Sequence, residues 1–180
     1  MIILASQSPR RQELLKLITD DFEVKVSNVD ETLPDGITPK EAVMYLSKIK
    51  AQPFADGENT VIGADTVVAL DGKILGKPKD EENAREMLKF LSGKTHSVYT
   101  GVTLANRNKT KTFAITTKVK FFDLTDEEID GYIKTGEPFD KAGAYGIQGY
   151  GSLLVEKIDG DYFNVVGLPV STLARELKAF

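Results

Sequence analysis

The sequence predicts an α/β (α+β) fold with a mixed sheet and flanking helices, and three observations carry that expectation. Thr60 to Leu70 is nearly continuous in apolar residues, as in a strand covered on both faces. Two capping boxes, Thr38 with Glu41 and Thr125 with Glu128, open segments of helical apolar spacing. Strands and helices then mix without strict alternation, which argues against a purely parallel sheet. A length of 180 residues suits one domain with a sizeable core, over residues 1–180, or two small lobes.

The elements follow in order. Met1 to Leu4 reads as a short buried strand. Ser8 is an N-cap and Pro9 suits the first helical position, with Leu14, Leu15 and Ile18 at helical spacing behind them. Phe22 to Val26 alternates like a half-buried strand, and Ser27 to Ile37 is loop, with Pro34, Asp35 and Gly36 as turn chemistry. The first capping box opens a helix to about Gln52, whose apolar stripe includes Ala42, Val43, Leu46 and Ile49, with Lys50 leaving its edge. The central strand turns at Asp71-Gly72 into the short return Lys73–Leu75. Lys77 precedes proline and is therefore held extended. Asp80 caps a helix that Gly93 ends. Val98 to Leu104 and Phe113 to Phe121 alternate as an antiparallel pair, and the second capping box opens a helix that stops at Gly136. Asp140 to Gly151 is glycine-rich, Ser152 to Ile158 reads as a strand, and Leu168-Pro169 starts a last helix.

Composition excludes several kinds of chemistry. Cysteine is absent and His96 is the only histidine, so there is no thiolate site, no Cys nucleophile and no His-rich zinc centre. A net charge of −4 argues against a general nucleic-acid or anionic-membrane surface. No apolar run spans a bilayer and no signal peptide is evident, so the expectation is a cytoplasmic protein with no membrane partner.

Two places break local rules. Arg10 and Arg11 sit in the first turn of a helix, where acidic residues belong, so a compensating anion such as a phosphate chain is expected there. Asp65 stands in an otherwise apolar strand, where an unpartnered carboxylate is costly, and Gly63 before it suggests a close backbone approach. Lys50 and Lys77 add cations suited to a triphosphate, and Glu31 with Asp65 offers oxygen ligands to a hard cation. The glycines of Asp140–Gly149 follow no strand and match neither the dinucleotide fingerprint nor a P-loop. His96 shares the parity of Val98 and Thr100 and reads as a satisfied, half-buried histidine.

Taken together, Leu4-Ala-Ser-Gln-Ser-Pro-Arg-Arg11, Gly63-Ala-Asp-Thr66, Gly76-Lys-Pro78, Thr95-His-Ser-Val-Tyr-Thr-Gly101 and Asp140-Lys-Ala-Gly-Ala-Tyr-Gly-Ile-Gln-Gly149 resemble the motifs of the Maf family. These are nucleotide pyrophosphatases once named for septum-formation inhibition. The resemblance runs from Ile2 to Pro169, and the Gly-Ile-Gln-Gly form is similar to the subgroup acting on dTTP and UTP. It implies hydrolysis of a nucleoside triphosphate to monophosphate and pyrophosphate with Mg²⁺ or Mn²⁺. It implies Asp65 as proton acceptor, Arg10, Thr66 and Gln148 as determinants of base selectivity, and Ser6, Arg11, Glu31, Lys50 and Lys77 as binders of phosphate or metal. It further implies an elongated mixed sheet with two lobes around a nucleotide cleft, similar to inosine triphosphate pyrophosphatases, and is compatible with a homodimer. The rival readings are a nucleotide-sensing regulator of division without turnover and an enzyme for damaged purine triphosphates.

Overall fold

The computed structural model describes all residues 1–180. Seven strands form one mixed sheet: β1 (Ile2–Ala5), β2 (Phe22–Val24), β3 (Thr60–Leu70), β4 (Lys73–Leu75), β5 (Thr95–Ala105), β6 (Thr110–Phe121) and β7 (Val155–Asp159). The helices are α1 (Pro9–Leu15), α2 (Pro39–Ala51), α3 (Glu81–Leu91), α4 (Asp126–Lys134), α5 (Tyr162–Val166) and α6 (Val170–Ala179). Strand order is β2-β1-β3-β5-β6-β7, with β4 also bonded to β3. β1 is parallel to β2 and β3, whereas β3 with β4 and β6 with β7 are antiparallel, so the expected mixed sheet is present. The chain forms two compact units, one of Met1–Thr66, Thr100–Ile115 and Gly167–Phe180, the other of Val67–Tyr99 and Thr116–Val166. No helix is long and apolar enough to cross a membrane.

In the first unit, α2 begins as its sequence dictates. The Glu41 N–H donates to Thr38 Oγ1 (3.3 Å) and the Thr38 N–H donates to Glu41 Oε2 (3.0 Å), which satisfies two helix-end donors. Its buried face is Ala42, Val43, Leu46, Ser47 and Ala51; Ile49, expected in the stripe, is only half-buried. Small residues are needed because the helix backbone lies directly on the sheet. A Cβ on Gly63 would sit 2.1 Å from the Ser47 carbonyl oxygen, and one on Gly101 would sit 2.2 Å from that of Val43. Thr103 on β5 shares a 2.9 Å hydroxyl bond with Ser47. The alternation expected of β5 therefore fails beyond Thr100, where every residue to Ala105 is buried. Gly63→Ala is expected to destabilise the protein by about 1–3 kcal/mol or more, since the new methyl meets rigid backbone rather than a flexible side chain. Urea denaturation measures it, and a wild-type midpoint would mean that α2 can retreat at no cost.

The second unit is packed around Leu88, Leu91, Val98, Phe121 and Ile129. Asp80 caps α3 by accepting from the Asn83 N–H (2.8 Å), and Thr125 with Glu128 forms the second capping box on α4. Two expectations need correction here. His96 is 1% exposed rather than half-buried. Its Nε2 lies 2.6 Å from the Tyr145 hydroxyl, its ring meets Phe121 and Tyr145 edge-on, and its Nδ1 has no partner. Burial pushes its pKa down to about 4, because the imidazolium form would be desolvated, so the core holds the neutral ring. The strand expected from Ser152 begins only at Val155, because Gly149–Leu154 winds into 3₁₀ turns. The five-residue α5 was not expected; it is nucleated by Asp161, whose Oδ1 accepts from the Phe163 and Asn164 N–H groups.

Candidate active site

β1 stops at Ala5, opposite Gly63, so the next residues of β3 have no β1 partner. In this stretch the two-residue period of a strand sends Asp65 and Thr66 to opposite faces. Each meets a cation delivered by a different helix.

Asp65 lies on the same face as Gly63, the face against which α2 packs. The absence of a side chain at Gly63 brings the last turn of α2 close enough for the Lys50 ammonium to reach Asp65 Oδ1 at 2.6 Å. The same ammonium lies 3.1 Å from Glu31 Oε2, so one lysine holds both acids that the sequence offered as oxygen ligands. The Lys50 and Asp65 side chains keep 15% and 13% exposure, against 52% for Glu31. The inner pair is therefore shielded and geometrically defined, whereas the outer one is screened by water.

Thr66 faces α1. The Arg11 guanidinium uses all three of its nitrogens: Nε donates to the Gly167 carbonyl (2.9 Å), Nη1 to the Ser6 hydroxyl (3.2 Å) and Nη2 to the Thr66 hydroxyl (3.1 Å). Thr66 in turn shares a 2.9 Å hydroxyl bond with Thr100. All three acceptors are neutral, so the arginine is oriented without being neutralised by contact. Burial pushes its pKa below the ordinary arginine value; Asp65 opposes that shift at longer range, Arg10 adds to it and Glu31 opposes it. Arginine starts so high that it remains a cation at neutral pH. A desolvated, fixed cation of this kind binds phosphate with little ordering cost.

The helix that delivers Arg11 has only seven residues, with Ser8 Oγ 3.5 Å from the Arg11 N–H and no acid in its first turn. The macrodipole argument is therefore weaker than the sequence suggested, and the side chains carry the anion affinity. Ser6, Arg10, Arg11, Glu31, Lys50, Asp65 and Thr66 all belong to the first unit, and Arg10 is half-buried there. Lys77 and Gln148 belong to the second unit, where both are exposed. The Gln148 amide makes no capping bond to the turn it precedes. Sequence reasoning missed the Gly167 carbonyl as a partner of Arg11, and missed Thr100 although it stands in one of the quoted motifs. A carbonyl has no sequence signal, and Gly167 lies 156 positions from its arginine.

No group of three or more acidic or histidine side chains is assembled for a metal. The donor set is two carboxylates already bridged by an ammonium. That does not suit zinc, which takes nitrogen and sulfur in a closed shell. It does suit Mg²⁺ or Mn²⁺, which accepts one or two protein carboxylates and completes its shell with water and substrate phosphates.

The Maf family model, described as Maf-like protein, matches residues 1–180. The dTTP/UTP pyrophosphatase of Bacillus cytotoxicus is 57% identical over 180 residues, covering 99% of this chain and 94% of the relative. That of Bacillus cereus strain ATCC 14579 is 54% identical over 181 residues, covering 99% and 95%. Among solved structures, the Staphylococcus aureus Ham1 protein superposes with a TM-score of 0.56 at 20% identity, covering 99% of this chain and 98% of that one. A HAM1 protein from Coxiella burnetii gives the same TM-score, 0.56, at 16% identity and the same coverage, 99% and 98%. These two likenesses establish the shared mixed-sheet fold. With a whole-chain family match and relatives above half identity, this chain belongs to the Maf family.

Proposed function

We propose that this protein hydrolyses nucleoside triphosphates, dTTP and UTP foremost, to the monophosphate and pyrophosphate. One observation carries the reading: just beyond the end of β1, consecutive residues of β3 hold a lysine-bound carboxylate, Asp65, and the hydroxyl that orients a phosphate-competent arginine, Arg11. The two Bacillus relatives, named as dTTP/UTP pyrophosphatases, support the substrate class and support turnover over sensing.

The reaction balances as triphosphate plus water giving monophosphate plus pyrophosphate. Water attacks the α-phosphorus, Asp65 takes its proton, and the bond to the bridging oxygen of pyrophosphate breaks. Arg11 offers its cation to the phosphate oxygens, where negative charge shifts toward the leaving group. Lys50 has three N–H donors, so it can keep Asp65 oriented while donating to a phosphate oxygen. Ser6 steadies Arg11, and Lys77 is assigned to phosphate. Glu31 and Asp65 would hold a divalent cation, which when bound offsets phosphate charge and favours pyrophosphate as leaving group.

Gln148 is assigned to the base, with Arg10 and Thr66 as further determinants. A uracil or thymine edge presents an N3–H donor beside the O4 acceptor, and a glutamine amide complements both. The test is kcat/KM for dTTP, UTP, CTP and GTP with Mg²⁺, scored for pyrophosphate, in the wild-type protein and in Gln148→Glu. The wild-type protein is expected to favour dTTP and UTP and to release pyrophosphate; orthophosphate as first product would overturn the reaction. Gln148→Glu leaves the O4 acceptor unpaired, costing about 1–3 kcal/mol, or roughly one to two orders of magnitude in kcat/KM for dTTP and UTP. CTP, which presents a donor at that edge, should fall much less. An equal fall for all four would move base selection to Arg10 and Thr66.

A further inference from the structure

We propose that Glu137 is the positioning residue for base selection: its carboxylate, together with the Tyr132 phenol, ties down the loop that presents Gln148. The proposal rests on the assignment of Gln148 to the base.

Glu137 lies just after α4, in a 3₁₀ turn spanning Glu137–Asp140. Its carboxylate is engaged by one loop and by a tyrosine of α4. Oε1 accepts from the Gly151 N–H (3.0 Å) and from the Tyr132 hydroxyl (3.0 Å), and Oε2 accepts from the Tyr150 N–H (3.0 Å). The Tyr132 hydroxyl in turn accepts from the Gly146 N–H (3.1 Å). Backbone on both sides of Gln148, at 146 and at 150–151, is thus bonded to a single carboxylate–phenol pair. Burial, the main cause, raises the Tyr132 pKa above its ordinary value and keeps the phenol protonated, so it is always the donor to Glu137. The turn that carries Glu137 is itself fixed, since the Lys141 ammonium donates to the Glu137 carbonyl (2.7 Å).

Two of the loop's glycines follow from this arrangement. A Cβ on Gly151 would lie 1.9 Å from the Gly146 carbonyl oxygen and 2.9 Å from the Tyr132 hydroxyl. A Cβ on Gly149, whose φ is +61°, would lie 2.8 Å from Glu137 Oε2. Of the glycines that matched no phosphate-binding fingerprint, Gly149 therefore makes room for the carboxylate. Within this tied segment the backbone is preorganised, while the Gln148 amide is exposed and makes no capping bond, which leaves it open to a base edge. Three N–H and O–H donors converge on Glu137, so glutamine cannot replace it: one of its ends would present NH₂ to a donor.

The experiment compares wild type, Glu137→Gln, Tyr132→Phe, Gln148→Ala and the Glu137→Gln/Gln148→Ala double variant. It measures kcat and KM for UTP and CTP, and amide hydrogen exchange at Gly146, Tyr150 and Gly151. Glu137→Gln is expected to lower kcat/KM for UTP by about tenfold, mainly through KM, and to lower that for CTP much less, as fits the loss of one or two buried hydrogen bonds. The three amides should exchange faster. In the Gln148→Ala background the same substitution should change the UTP-to-CTP ratio no further, because the two residues act through one contact. Tyr132→Phe, which leaves the carboxylate in place, should shift the ratio in the same direction by a smaller factor, and serves if Glu137→Gln does not fold. Faster exchange with an unchanged ratio, while Gln148→Ala abolishes discrimination, would overturn the proposal and leave the base assignment standing. Full discrimination in Gln148→Ala would instead overturn the base assignment, and this proposal with it.

Discussion

Asp65→Asn is expected to keep the fold and nucleotide affinity while lowering kcat by at least ~10²-fold, the range for loss of a positioned base. The amide is isosteric and can still accept from Lys50, but it cannot take a proton from water. The fold is protected for a specific reason. Removing one member of a shielded ion pair normally strands the other charge. Here Lys50 also lies 3.1 Å from Glu31, so its charge keeps a partner in the variant. Nucleotide affinity is protected at saturating Mg²⁺, because Glu31 remains to hold the cation and the Arg11 contacts to Ser6, Thr66 and Gly167 do not involve Asp65. Single-turnover rates at saturating Mg²⁺, with calorimetric binding of a non-hydrolysable triphosphate, separate the two effects. Turnover at the wild-type rate would make Asp65 structural and remove the proposed base.

Chelation is expected to abolish pyrophosphate release while leaving the unfolding temperature unchanged. The carboxylates assigned to the cation, Glu31 and Asp65, are both compensated by Lys50, so folding does not depend on an ion to relieve their repulsion. Activity does, because the four negative charges of a triphosphate exceed the three positive charges of Arg11, Lys50 and Lys77. Mg²⁺ or Mn²⁺ should restore turnover. Full activity in chelator, or restoration by zinc alone, would overturn the oxygen-ligand assignment. A fall in unfolding temperature on chelation would show that the ion is structural.

The sequence by itself determined what is settled within a few residues. Thr38 with Glu41, Asp80 with Asn83, and Thr125 with Glu128 close hydrogen bonds across three positions, so the starts of α2, α3 and α4 were legible before any packing was known. The bounds of β3 were equally plain, because a strand covered on both faces has no polar residue except where one is used. Asp65 was legible for that reason, and Arg11 because it contradicts its own helix end. The motifs were enough to place the chain among its relatives.

Tertiary structure decided everything that joins distant positions. Arg11 takes its acceptors from residues 5, 55 and 156 positions away, and nothing local in the sequence could name the last of them. Lys50 meets Asp65 because Gly63 lets a helix backbone rest on the strand, a contact that depends on which face α2 covers. β7 starts late, at Val155, where the sequence alone reads as strand from Ser152. The Tyr150 and Gly151 N–H groups point at Glu137 instead of at a neighbouring strand. Local hydrogen bonds can be counted along the chain, but a charge-bearing site is made by the long-range packing that sets which polar groups lose water together.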